Sequence, residues 1–276
     1  MNYKLSNLSH KDSNFSLNNI IDVIRINDGS IFDFDLSVVP WKEIICWEKF
    51  NLQIKKQWEF LKDRATYYGK KLYNSNSFQI EDIDIKRKLI TLSKNVDYKT
   101  IISTRSNEKN YNYSDWTPAP NAFVVVNILI TKDNKIVLGK RDFYWDRPIH
   151  TYETPGAFSN YKDLELSTLS KITQSKISED YDLDNIENIV QTIPFAIYHF
   201  PRILETIFLC VTRIDILADK LHAKKYSDIL IMENNYEWIK NIIKMPVQEF
   251  HPPSRTVLQF FYKNYSVGNM LLSKMV

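Results

Sequence analysis

The chain has 276 residues, 44% of them apolar and 25% charged. That is enough for one large domain or two modest ones with a packed core, and it excludes general disorder and collagen-like repetition. With 36 basic and 33 acidic residues the net charge is +3, too even a balance to point to a nucleic-acid partner. No run approaches the roughly 18 uninterrupted apolar residues of a membrane span. The opening MNYKLSNLSHKDSNF lacks the apolar core of a signal peptide. The expectation is therefore a cytoplasmic protein with no membrane partner and no nucleic acid bound.

Up to Pro40, polar runs alternate with short apolar pieces such as IIDVIRI and SIFDFDLSVV. Beyond it, Trp47, Phe50, Ile54, Trp58, Leu61, Ala65, Tyr68 and Leu72 recur at spacings of three and four. That is one apolar stripe on a long helix, opened by Pro40 and with Gly69 near its end. Residues 77–104 then read as strands: SFQIEDIDI and KLITLSK flank the basic turn Lys86-Arg87-Lys88, and DYKTIISTR follows. Residues 1–110 are thus expected to form an N-terminal α+β region. Its aromatic-rich helix either packs on the chain's own sheet or forms a homodimer. Residues 111–121, YNYSDWTPAPN, are polar, aromatic and without period, and are read as a linker.

From Ala122 the pattern changes. AFVVVNILI and KIVLGKR are strands around the turn Lys132-Asp133-Asn134. A long loop, DFYWDRPIHTYETPGAFSNYKD, leads to a helix from about Ser167 to Tyr181. IVQTIPFAIYHF and ETIFLCVTRIDI are two further strands and DILIM a short one. NNYEWIKNIIKM is a helix stopped by Pro246, and a last helix begins at Ser254. Hairpin, helix, strands and helix make an α+β order, not a βαβ repeat. Cys46 and Cys210 sit in apolar surroundings and are read as reduced core residues.

The stretch from the LGKR strand through Thr-Pro-Gly to the helix ending in Ser-Glu-Asp-Tyr-Asp-Leu resembles the core of the Nudix family, whose motif is G-x5-E-x7-R-E-U-x-E-E-x-G-U with U bulky and aliphatic. The resemblance spans roughly residues 120–262 and implies an α/β/α sandwich in residues 122–276. It also implies a site where glutamates hold magnesium over a diphosphate. Gly156 matches the first glycine, Leu169, Ile172 and Ile177 the aliphatic positions, Glu179 and Asp180 the closing acidic pair, and Leu183 the last aliphatic. The motif's Arg-Glu pair is here Ser175-Lys176, its second glycine Asp182, and its second-position neighbour Ala157. The loop after Gly156 is longer than the motif allows, so the first glutamate falls on Ser167, with Glu165 nearby.

At about 100° per residue, Leu169, Ile172 and Ile177 define an arc that contains Lys176 and Asp180. Both charges should point inward, with Glu179 at the arc's edge. An ammonium then stands where the resemblance puts a carboxylate ligand, and neutralises Glu179 and Asp180 without a metal. The alternative is an i,i+4 pair on a wetted helix face, worth about 0.2–0.5 kcal/mol.

Glu179, Asp180, Lys176 and Glu165 are accordingly the candidate catalytic residues. No metal is expected; if one binds, Glu179 and Asp180 hold it. Aromatic faces with arginine suit a base or a phosphate, so Arg141, Trp145, Arg147, His150, Gly156 and Glu153 are the candidate substrate-binding residues. Two functions stay open. One is a degenerate site that binds a nucleotide or another phosphorylated small molecule without a cofactor, its hydrolysis weak, lost or repurposed. The other is a magnesium-dependent hydrolase of nucleoside diphosphate derivatives that recruits Glu165, Asp163 or Glu153.

Overall fold

A computed structural model of the chain describes residues 22–39, 51–105, 120–144, 147–158, 166–183, 189–200, 205–244, 249–250 and 252–275. The expected positions Pro40, Cys46, Trp47, Phe50, Trp145, Asp163 and Glu165, and most of the linker, lie outside them.

The strands are β1 (Asp22–Ile26), β2 (Asp35–Val39), β3 (Asn76–Asp84), β4 (Leu89–Asp97), β5 (Ala122–Ile130), β6 (Lys135–Tyr144), β7 (Arg147–Glu153), β8 (Gly156–Phe158), β9 (Ile189–Phe200), β10 (Glu205–Ile214) and β11 (Asp228–Glu233). The helices are α1 (Asn51–Tyr67), α2 (Tyr98–Arg105), α3 (Leu169–Asp180), α4 (Tyr236–Lys244), α5 (Pro252–Lys263) and α6 (Tyr265–Lys274). One mixed sheet runs β1-β9-β10-β5-β3-β4-β2, with β8 and β6 also on β5, and with β7 and β11 on β6.

β5 is the centre of the sheet because AFVVVNILI offers an apolar side chain to both faces at almost every position. All nine of its residues are buried, and it runs parallel to β10 from Ala122↔Glu205 to Ile130↔Arg213. Its even-numbered side chains from Val124 to Ile130 join the core under α1, α2, α4, α5 and α6. Phe123, Val125 and Leu129 face the other way, toward α3. The fold is α+β, with α3 on one face of the sheet and α1, α2, α4, α5 and α6 on the other.

The stripe Ile54, Trp58, Leu61 and Ala65 is the buried face of α1, and Gly69 follows at φ +69, the left-handed conformation glycine tolerates. Lys86-Arg87-Lys88 closes the β3–β4 hairpin, with Lys88 at φ 55. Cys210 is a free, buried thiol, and burial pushes it up to about 12. No helix among the described residues is long and apolar enough to cross a membrane.

Three expectations need correction, and two segments left without an element are strands. YKTIISTR is a helix, not a strand. Asp97 caps it by accepting the Thr100 N–H at 2.8 Å, which outweighs the β-branched composition. The two short apolar pieces before Pro40 supply β1 and β2, which pair β9 and β4. The long loop after LGKR is a ladder: β6 continues to Tyr144 and β7 returns along it from Arg147. A further helix, α6, follows α5.

Candidate functional site

Helix α3 starts at Thr168, whose hydroxyl accepts the Lys171 N–H, and it lays Leu169, Ile172 and Ile177 on the sheet. The same arc carries Lys176, 2% exposed, and Asp180, 3% exposed. The wetted-face alternative is therefore excluded. Glu179 sits at the edge, half-exposed.

Lys176 Nζ lies 3.2 Å from Glu179 Oε1. The cation on Asp180 comes from elsewhere: Lys225 Nζ stands 3.1 Å from Asp180 Oδ1 and 3.0 Å from Glu179 Oε2. It reaches there because the loop before β11 is tied to the end of α3. The Lys224 N–H donates to the Asp180 carbonyl at 2.9 Å, and Lys224 Nζ pairs with Asp182 at 3.2 Å. These lysines also complement the negative end of the α3 dipole.

The next residue completes the cluster. Tyr226 OH donates to Asp180 Oδ2 at 3.1 Å and is near enough to Glu153 to favour its ionised form. Arg141 Nε donates to Glu153 Oε1 at 2.8 Å, and the Arg141 side chain is one-third exposed. Gly139 makes room for the Tyr226 ring, and Gly156 lets β8 lie close on β5. A Cβ on Gly139 would stand 2.2 Å from the Tyr226 ring, and one on Gly156 would stand 2.5 Å from the Val125 carbonyl oxygen.

Burial pushes the Asp180 carboxyl above its ordinary value, although pairing with Lys225 and Tyr226 acts the other way. Pairing alone would have lowered it; burial is the larger effect. Glu153 is raised likewise, by burial, with Arg141 opposing and Asp180 adding to the rise. Burial acts to raise Glu179 too, but Lys176 and Lys225 outweigh it and hold that carboxyl below its ordinary value. Lys225 is desolvated, which favours its neutral form, yet Asp180 and Glu179 keep its pKa raised.

Three carboxylates thus meet three cations. Sequence reasoning brought Arg141, Glu153, Lys176, Glu179 and Asp180 forward, and the structure joins these five. It missed Lys225, Tyr226 and Gly139. His150 stands apart, largely exposed, with its Nδ1 3.4 Å from Asp142. Of Arg147 only the backbone is described, at the start of β7, and Trp145 and Glu165 lie outside the described residues. Between α3 and β5 a crevice lined by Asn127, Pro155, Gly156, Thr173 and Lys176 among others is too narrow for a water molecule. Among the described residues, no group of three or more His, Cys, Asp or Glu side chains is arranged to hold a metal ion.

No family model matches the chain. Several solved structures are similar to part of it. A bifunctional NMN adenylyltransferase/ADP ribose pyrophosphatase from Francisella tularensis, complexed with AMP and manganese, is 13% identical over 60% of this chain and 49% of its own, with a TM-score of 0.39. A NUDIX hydrolase from Nitrosomonas europaea is 13% identical over 53% of this chain and 73% of its own, with a TM-score of 0.37. The NUDIX domain of Shewanella oneidensis NrtR, solved with ADP ribose, is 12% identical over 58% of this chain and 97% of its own, with a TM-score of 0.33.

Proposed function

We propose that this chain is a Nudix-like protein that binds a nucleotide or another phosphorylated small molecule at the α3–β6 cluster, with standard magnesium-dependent hydrolysis weak or lost. The observation that carries the reading is the Lys225 ammonium standing 3.0 and 3.1 Å from the two carboxylates of the closing acidic pair. Magnesium demands near-octahedral oxygen ligands at about 2.0–2.1 Å. It would compete with this ammonium for the same oxygens and repel it at short range. The magnesium that the resemblance implies therefore does not fit the cluster as it is arranged.

The chain's own residues still offer a phosphate something. Arg141 and Lys225 each present a partly exposed cation beside a buried, internally paired cluster, where fixed charges act more strongly than in water. In the same reading residues 1–110 are a scaffold. Their described strands extend the sheet, while every member of the cluster comes from residues 139–226. A second reading, an active hydrolase with relocated carboxylates, is favoured by one feature: Glu153 lies buried close enough to Asp180 for the two charges to interact.

The deciding experiment is a screen of nucleotide sugars, dinucleoside polyphosphates and nucleoside triphosphates with magnesium and with manganese, run beside Glu179→Gln. Losing one group that stabilises the transition-state charge costs about 10²–10³-fold, so turnover is expected at background. Robust turnover that Glu179→Gln abolishes would overturn the binding reading. As a companion, Lys176→Glu restores a motif carboxylate and is expected to create or strengthen magnesium binding by calorimetry. An unchanged titration would count against the alignment of α3 with the motif.

A further inference from the structure

Three cations serve the cluster, but their circumstances differ. Lys176 is sealed under α3, 2% exposed, on Glu179 and against the narrow crevice. Arg141 directs both its Nε and an Nη at Glu153. Lys225 alone of the three is both fixed and widely open to solvent, its side chain 48% exposed.

An ammonium has three N–H donors. Two of Lys225's are directed at Glu179 Oε2 and Asp180 Oδ1, which leaves one for the solvent side. Its position is held by the backbone as well as by the side chain, because the Lys224 N–H is bonded to the Asp180 carbonyl. A cation anchored by two carboxylates with a free coordination direction does what a carboxylate-bound metal does for a phosphate. It presents a fixed positive charge without needing an ion from solution. Lys224 stands beside it, half-exposed and paired with the equally exposed Asp182, so a second ammonium can turn to an anion while its partner rehydrates.

We propose that Lys225 is a ligand-binding residue, a tethered cation that meets the phosphate oxygens directly, so that the site takes a phosphate ester or diphosphate as the free anion and not as its magnesium complex. The inference rests on the phosphorylated-ligand reading above and adds the residue and the ionic form. It reverses the usual sign of the magnesium effect. Magnesium bound to the diphosphate masks the charge that Lys225 would meet and brings a like charge toward the ammonium.

The test is calorimetry of the full chain with inorganic pyrophosphate, in chelator and in excess magnesium, on the wild type, Lys225→Met and Lys225→Arg. The wild type should bind in chelator and bind more weakly with magnesium. A hydrogen bond to a charged group is worth about 1.5–3 kcal/mol, so Lys225→Met should lose about 10–100-fold. Lys225→Arg should recover part of that loss, which separates charge from folding, and urea denaturation of each variant checks that it is folded. Unchanged affinity in a folded Lys225→Met, or wild-type binding that requires magnesium, overturns the inference. Absence of pyrophosphate binding overturns it too. If a nucleotide from the substrate panel still binds in any of these cases, the ligand reading survives; if none binds, it falls as well.

Discussion

Removing the Asp180 carboxylate tests whether the cluster is a joined network or a set of incidental surface pairs. The group is 3% exposed and accepts from Lys225 at 3.1 Å and from Tyr226 at 3.1 Å. Two charge-assisted bonds at about 1.5–3 kcal/mol each would give too large a sum. Lys225 is half-exposed and keeps Glu179, so its share falls to the ~0–1 kcal/mol of a surface pair. Tyr226 is enclosed, 7% exposed, and would retain only Glu153, which leaves a loss of about 1 kcal/mol. Relief of the buried charge beside Glu153 works in the opposite direction. Asp180→Ala should therefore destabilise the fold by about 1–2 kcal/mol. Asp180→Asn keeps an acceptor for Tyr226 and should be the milder change. Urea denaturation at neutral pH measures both, provided that the slope is unchanged and the midpoint reads as stability. An alanine variant as stable as the wild type, or an asparagine variant worse than alanine, would refute the reasoning.

Two further outcomes follow from the same geometry. The Asp180 and Glu153 carboxyls have folded values raised above 3.8 and 4.5, so between those values and the raised ones the folded state holds protons that the unfolded chain has released. Their contribution to stability is fullest at the acid end of that window and falls as pH rises through it; Glu179, lowered from 4.5, acts with the opposite sign at lower pH. Urea midpoints over a pH series should fall less steeply across that window in Asp180→Asn than in the wild type, and parallel curves would contradict the assignment. For Gly156→Ala, the added Cβ would meet the Val125 carbonyl oxygen at 2.5 Å and the Val126 Cα at 3.0 Å, both backbone, at a cost of about 1–3 kcal/mol. Hydrogen exchange should speed up at the Asn127 amide, which donates to the Pro155 carbonyl at 2.8 Å; an unmoved amide would show that β8 is not held against β5 by this contact.

The elements that could be read from the sequence are those whose side chains carry the period. Ile54, Trp58, Leu61 and Ala65 mark α1 because every turn must bury one of them, and β5 shows as an unbroken apolar run because both its faces are covered. The elements that were misread owe their form to caps and main-chain pairing, which carry no side-chain period. The cap of α2, Asp97, stands at the head of the run DYKTIISTR, where the β-branched residues after it obscure it; the Asn74 side chain, which accepts the Lys99 N–H at 2.8 Å, comes from 25 residues upstream. β7 reads RPIHTYE, with no alternation, and exists because its backbone pairs with β6 from Gly139↔Glu153 onward. A ladder made by the main chain leaves little trace in composition.

The site divides along the same line. Lys176 and Asp180 could be turned inward from helix geometry alone, since three aliphatic residues fix the arc. Lys225 and Tyr226 could not, because they arrive 46 residues after Glu179 and Asp180 on a loop without a motif. One signal for them did exist. Buried charges are tolerated when paired, and the residues already singled out, Glu153, Glu179 and Asp180 against Arg141 and Lys176, left one negative charge without a match. Had the cluster been required to close near neutrality, a further cation would have been demanded from outside the motif. The Lys-Lys-Tyr sequence leading into β11 was a place to look, because a strand pairing with β6 delivers its preceding loop beside Gly139 and Arg141. Charge balance across a fold, unlike a motif, does not depend on distance along the chain.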